Sequence, residues 1–106
     1  MVAEIIINST VKSLNKVFDY RIPSSLNENI QVGSRVIVPF GRGKKLEEGF
    51  VVNIKEKSDY EIKDIIEVQE NLLNEESIKF AKWMSRRYFC NLSDCIKLML
   101  PPRNIF

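Results

Sequence analysis

The sequence predicts an α+β domain, with a small, strand-rich, barrel-like body of about five or six strands followed by two helices at the carboxyl end. Three observations carry this expectation. Residues 1–70 hold short Ile- and Val-rich segments punctuated by Pro, Gly and Asn. From residue 74 the apolar spacing lengthens from two to between three and four. The chain has 106 residues, the length of one domain with its own core.

Each element has a local reason. Residues 2–8 are rich in Ile and Val, which favour a pleated backbone. In residues 17–22, Phe18, Tyr20 and Ile22 alternate with Val17, Asp19 and Arg21, and Pro23 ends the segment. The polar stretch 24–31, closed by Gly33, reads as a loop. Val36, Val38 and Phe40 alternate with Arg35, Ile37 and Pro39, giving a strand weakened and exposed at its proline end. Gly41-Arg42-Gly43-Lys44-Lys45 is then a basic turn, residues 49–55 the next strand and residues 62–68 the last. Asn74 caps a helix with Glu75 and Glu76 in its first turn and Arg86 and Arg87 near its end, as the helix dipole prefers. Ile78, Ala81, Met84 or Ser85, and Tyr88 follow one face, widened by Phe80 and Trp83; both rings are expected in the core, whereas an exposed ring would be placed to stack a base. Residues 92–100 form a shorter helix, capped by Asn91 or Ser93 and stopped by Pro101-Pro102. The body over 1–70 is thus an OB-like barrel and 74–100 a helical pair, together one domain.

Composition excludes several function classes. The chain has no histidine, which removes Ser-His-Asp and Cys-His catalysis and His-ligated zinc. Cys90 and Cys95 have no companion pair, so they read as buried thiols in a reduced, cytoplasmic protein. No apolar run approaches the roughly 18 residues of a membrane span. The glycine-punctuated basic turn lacks the spacing of a nucleotide-hydrolysing phosphate loop.

The net charge of +2 hides three blocks. Residues 10–45 carry +5, residues 46–78 carry −7 and residues 79–106 carry +5. A fold that joins the outer blocks presents a basic face to a polyanion. Without such joining, the same charges are solvated surface.

One combination of motifs is specific. Val17-Phe18-Asp19-Tyr20 is followed by VGSRVIVPFG at 32–41, GFVV at 49–52, IKDIIEV at 62–68 and WMSRRYFCNLSDCIKLMLPP at 83–102. In order and spacing this resembles the amino-terminal region of the primosomal protein N-prime (PriA) family, bacterial replication-restart helicases. The resemblance covers nearly the whole chain. It implies a domain that binds the 3′ end of a DNA strand, such as the nascent leading strand at a stalled fork, and holds the terminal nucleotide in a small pocket. The matching positions are Phe18, Asp19, Gly41 and Lys63. It also implies that this chain is the amino-terminal fragment of a longer, nucleoid-associated 3′-to-5′ helicase. The ATP site and zinc-binding region of that helicase, and its contacts with other primosome proteins, would lie beyond residue 106. No catalysis and no cofactor are then expected here.

The residue types suit that role. Phosphates repel Asp19, so the carboxylate must face a donor, either a base amino group or a 3′ hydroxyl. Phe18 offers an apolar wall that tolerates any base. Gly41 lets the backbone approach a ligand closely. Lys63 neutralises a nearby phosphate, with Arg35, Arg42, Lys44 and Lys45 as secondary phosphate contacts. A second class of function stays open on the same sequence. The acidic block and the aromatic helix also suit a protein-docking module of a larger nucleic-acid enzyme.

Overall fold

A computed structural model of the chain describes residues 1–8, 16–41, 45–58, 62–71 and 73–100. Five strands are seen among them: β1 (Val2–Ile7), β2 (Val17–Arg21), β3 (Arg35–Pro39), β4 (Leu46–Lys55) and β5 (Glu67–Glu70). Two helices follow, α1 (Glu75–Tyr88) and α2 (Leu92–Leu98). The strands form one sheet in the order β2-β1-β4-β3-β5, with every pairing antiparallel.

The sheet is curled by two irregularities and closed by a short segment. Register shifts fall between Glu4 and Ile5 of β1 and between Arg35 and Val36 of β3, and such bulges bend and twist a strand. The stretch leading into β5 then reaches both edges. Arg21 N–H donates to the Lys63 carbonyl at 2.9 Å, and Ile65 N–H donates to the Arg21 carbonyl at 3.0 Å. The next residue, Ile66, donates to the carbonyl of Ile37 in β3 at 2.9 Å. Edge strand β2 is thereby tied to the chain that becomes the opposite edge. This is the small barrel that the sequence predicts, here with five strands. It also explains why the expected strand 62–68 is largely a connector: Lys63 and Ile65 pair with β2, leaving only Glu67–Glu70 for the β3 ladder.

Two apolar clusters flank the sheet. Inside the barrel lie Ala3, Ile5, Ile7, Tyr20, Val36, Val38, Val51 and Ile65. On the outer side, Ile6, Phe50 and Val52 pack against Ile78 and Ala81 of α1 and Cys95 and Ile96 of α2. With a core on each side, β1 is buried along nearly its whole length, which accounts for its unbroken apolar run. The Asn74 side chain accepts the Ser77 N–H at 2.9 Å and caps α1 as expected. Helix α2 stops at Leu98, two residues short of the expected end, because Met99 and Leu100 donate in tight turns to Ile96 and Lys97. Asn91 holds its cap position without a side-chain cap bond.

Phe80 and Trp83 are not core residues. They are 52% and 49% exposed, stacked on each other with ring centroids 5.8 Å apart. The face of α1 that enters the core is the narrower Ile78–Ala81 stripe, with Met84 packed at its margin. Both rings lie beside that stripe, outside the cluster that packs on the sheet.

Candidate functional site

The period-2 alternation of β2 sends Phe18 and Tyr20 towards the barrel interior and Val17, Asp19 and Arg21 the other way. At the barrel mouth this strand meets the end of β3. The Phe18 and Phe40 rings contact edge to face, with centroids 5.1 Å apart, and the Tyr20 hydroxyl donates to the Pro39 carbonyl at 2.6 Å. Pro39 sits past the reach of β5, which pairs only with Arg35, Val36 and Ile37, so no ladder bond is lost there.

A cavity of about 610 Å³ opens between these elements at the β2 edge of the sheet, where residues from both faces of that strand line it. Its walls are Phe18, Asp19 and Tyr20 of β2, Pro39, Phe40 and Gly41 at the end of β3, and Ile62 and Lys63 of the closing segment. Lys16 and Val17 complete the rim. Lys16 Nζ stands 5.3 Å from the centroid of the Phe18 ring, and Lys63 Nζ donates to the Gly41 carbonyl at 3.4 Å. Gly41 has φ of +75°, a left-handed conformation that glycine adopts without a steric penalty. A Cβ built on Gly41 meets nothing within 4 Å, so the backbone there is approachable.

Asp19 is held as an anion. Its side chain is 10% exposed, and Oδ2 lies 2.8 Å from Lys55 Nζ. The same oxygen accepts the Ser58 hydroxyl at 2.5 Å. Burial alone pushes the carboxyl pKa up, but the Lys55 ammonium and the Ser58 hydroxyl outweigh it and hold the group below its ordinary value. Lys55 Nζ also lies 3.5 Å from Glu4 Oε2, so one cation serves two carboxylates.

The structure thus brings Phe18, Asp19, Gly41 and Lys63 to one cavity, from segments up to 45 positions apart. The secondary phosphate contacts divide. Lys45 is exposed at the foot of β4, where its carbonyl accepts the Phe40 N–H at 3.1 Å. Arg42 and Lys44 lie outside the described residues. Arg35 must be withdrawn as a phosphate contact. Its side chain is only 8% exposed, with Nε 3.6 Å from Glu48 Oε1 and the guanidinium 6.0 Å from the Phe50 ring centroid. Strand β3 lies inside the sheet, and its first residue is covered by the layer that includes Phe50.

Sequence reasoning left Lys16, Tyr20, Phe40, Lys55 and Ser58 out of the site. Phe40 and Tyr20 were visible within the VPFG and FDY motifs. Lys55 and Ser58 are more than 35 positions from Asp19, and no local signal joins them.

The family described as 3′DNA-binding domain (3′BD) matches residues 4–101. The replication restart protein PriA of Bacillus subtilis is 38% identical over 104 residues, a match spanning 93% of this chain and 13% of the relative. PriA of Chlamydia trachomatis is 35% identical over 106 residues, spanning 93% and 14%, and PriA of Treponema pallidum is 30% identical over 99 residues, spanning 85% and 15%. The chain therefore spans 13–15% of the length of these relatives. Since the match runs through both the barrel and the helices, this chain belongs to the 3′DNA-binding domain family of the replication restart protein PriA.

Proposed function

We propose that this chain binds the 3′ end of a single-stranded or nascent leading DNA strand at a stalled or branched fork. It would thereby position a longer replication-restart helicase for primosome assembly. The observation that carries the reading is the single cavity shared by Phe18, Asp19, Gly41 and Lys63. In this reading the terminal base lies against Phe18 and Phe40, which offer apolar faces and no base-reading pattern. The 3′ hydroxyl donates to the Asp19 carboxylate, and Lys63, Lys16 and Lys45 face the phosphates. Gly41 admits the sugar close to the backbone. The chain acts without a cofactor, and ATP and zinc belong to other parts of the parent protein. Its partners are DNA and, through the parent, the other primosome proteins, in the bacterial cytoplasm.

The test is fluorescence anisotropy with oligonucleotide twins ending in a 3′ hydroxyl or a 3′ phosphate, at 50 and 200 mM salt. The expected result is a preference for the hydroxyl that Asp19→Ala removes while the fold survives. Equal binding of the twins by the wild-type chain would refute end recognition.

The stacked Phe80–Trp83 pair on the outer face of α1 favours a second reading, a protein-docking module. Failure to bind either oligonucleotide would transfer the weight to it.

A further inference from the structure

A second cavity of about 300 Å³ adjoins the first and shares Lys16 and Val17 with it. Its remaining polar walls are Lys82, Ser85 and Arg86 of α1, and Leu92 of α2 contributes an apolar side. No carboxylate is among its described lining residues. We infer that this cavity is a phosphate subsite, in which Lys16, Lys82 and Arg86 hold the backbone of the strand whose 3′ end occupies the first cavity. The inference rests on the end-binding reading and extends it by one contact point along the strand.

The geometry supplies the path. β2 is an edge strand, so among the described residues no further strand pairs alongside Val17. Phe18 faces the first cavity and the neighbouring Val17 faces the opposite side of the sheet, where the helices pack. A polynucleotide leaving the first cavity past Lys16 turns round this edge and meets α1. There Lys82 and Arg86, four positions apart, lie on one helix face with Ser85 between them. Lys82 is fixed by donating to the Val52 carbonyl at 3.0 Å, which leaves other ammonium protons for a phosphate oxygen. The Ser85 hydroxyl donates to the Cys90 carbonyl at 2.6 Å, so Ser85 lines the cavity as a spacer and the cations do the binding. The subsite also joins the two basic blocks of the sequence, Lys16 coming from the first and Lys82 and Arg86 from the last.

The experiment compares the wild-type chain with Arg86→Ala, Lys82→Met/Arg86→Ala and Asp19→Ala. The probes are two dT8 oligonucleotides, one ending in a 3′ hydroxyl and its twin in a 3′ phosphate, titrated from 50 to 200 mM salt. Arg86 is exposed, so its truncation leaves the fold intact, and thermal unfolding of each variant checks this. The expected loss for Arg86→Ala is roughly threefold to tenfold in affinity, with the salt slope reduced by about 0.7 for each phosphate contact removed. The preference for a 3′ hydroxyl should stay unchanged. Unaltered salt slopes in both α1 variants would overturn the subsite. Loss of the hydroxyl preference in Arg86→Ala would also overturn it, because the cations would then belong to the end pocket itself. If the wild-type chain shows no hydroxyl preference while Arg86→Ala still flattens the slope, the end-binding reading fails and an anion subsite stands.

Discussion

Gly33 and Gly41 both have positive φ, +100° and +75°, but their surroundings differ completely. A Cβ on Gly33 would lie 2.4 Å from the Leu73 carbonyl oxygen, 2.6 Å from its carbon and 3.1 Å from the Asn74 nitrogen. A Cβ on Gly41 meets nothing within 4 Å. Both substitutions to alanine incur the left-handed penalty of about 1–2 kcal/mol. Only Gly33→Ala must also push the backbone that delivers Asn74 to the start of α1, an overpacking cost of about 1–3 kcal/mol. The expected losses are therefore about 2–5 kcal/mol for Gly33→Ala and about 1–2 for Gly41→Ala. A domain of this size has about 5–15 kcal/mol in total. Urea titration followed by circular dichroism measures both, and each kcal/mol lowers Tm by roughly 4–8 °C. If the two variants are equally stable, the contact between Gly33 and the helix-capping segment is not what fixes that junction. The same pair separates stability from function. Gly41→Ala should weaken 3′-end binding more than its modest stability loss explains, while Gly33→Ala should bind normally at temperatures where it remains folded.

Three other outcomes follow from the same structure. Asp19 has a folded pKa below its unfolded value, so its stabilising contribution is present above the unfolded pKa of about 3.9 and disappears as pH falls through the lowered folded value. Urea midpoints between pH 6 and pH 2 should fall less steeply for Asp19→Asn than for the wild type. Burial and the neighbouring Cys90 thiol, 2.9 Å away, push the Cys95 thiol up to about 11. Its contribution is intact below the unfolded pKa of about 8.5 and is lost as pH rises through the folded value, and iodoacetamide at pH 8 should modify Cys95 only after denaturant is added. Trp83→Ala should cost under about 1.5 kcal/mol by thermal unfolding, against about 3–5 for Phe50→Ala in the fully buried outer cluster.

The elements that repeat a local pattern were legible in the sequence. The alternation in β2 and β3, the run of β1 and the Asn74 cap each contain their own structural reason within a few residues. What escaped depends on partners distant in sequence. Arg35 looks like a surface cation beside a basic turn, and only the pairing of β3 between β4 and β5 covers it with Glu48 and Phe50. Phe80 and Trp83 extend a plausible helix stripe, but the sheet offers α1 a contact only as wide as Ile78 and Ala81. The span 62–68 has the composition of one strand and is divided between two edges of the barrel. Phe18, Asp19, Gly41 and Lys63 were found through a motif resemblance. Their convergence is a property of barrel closure that no single segment contains.

That closure also bears on how a carboxylate can serve in a polyanion site. An unpaired Asp about 4 Å from a phosphate would be repelled by about 1 kcal/mol in water and about 4 kcal/mol at an effective dielectric of 20. Asp19 avoids standing alone, because Lys55 at 2.8 Å offsets its charge and Ser58 fixes Oδ2. The pairing does not consume the acceptor capacity of the group, since an ionised carboxylate accepts at about four lone-pair positions across two oxygens. For the proposed ligand this separates two needs that otherwise conflict. The phosphates approach a carboxylate whose charge Lys55, shared with Glu4, offsets in part and which Lys16 and Lys63 flank, and a hydroxyl at the strand end still finds an acceptor held in place. A 3′ phosphate brings two further negative charges and no comparable donor to the same point, so the arrangement penalises it. Discrimination in this reading comes from a fixed anion whose field the surrounding lysines weaken at a distance and which is felt in full at contact.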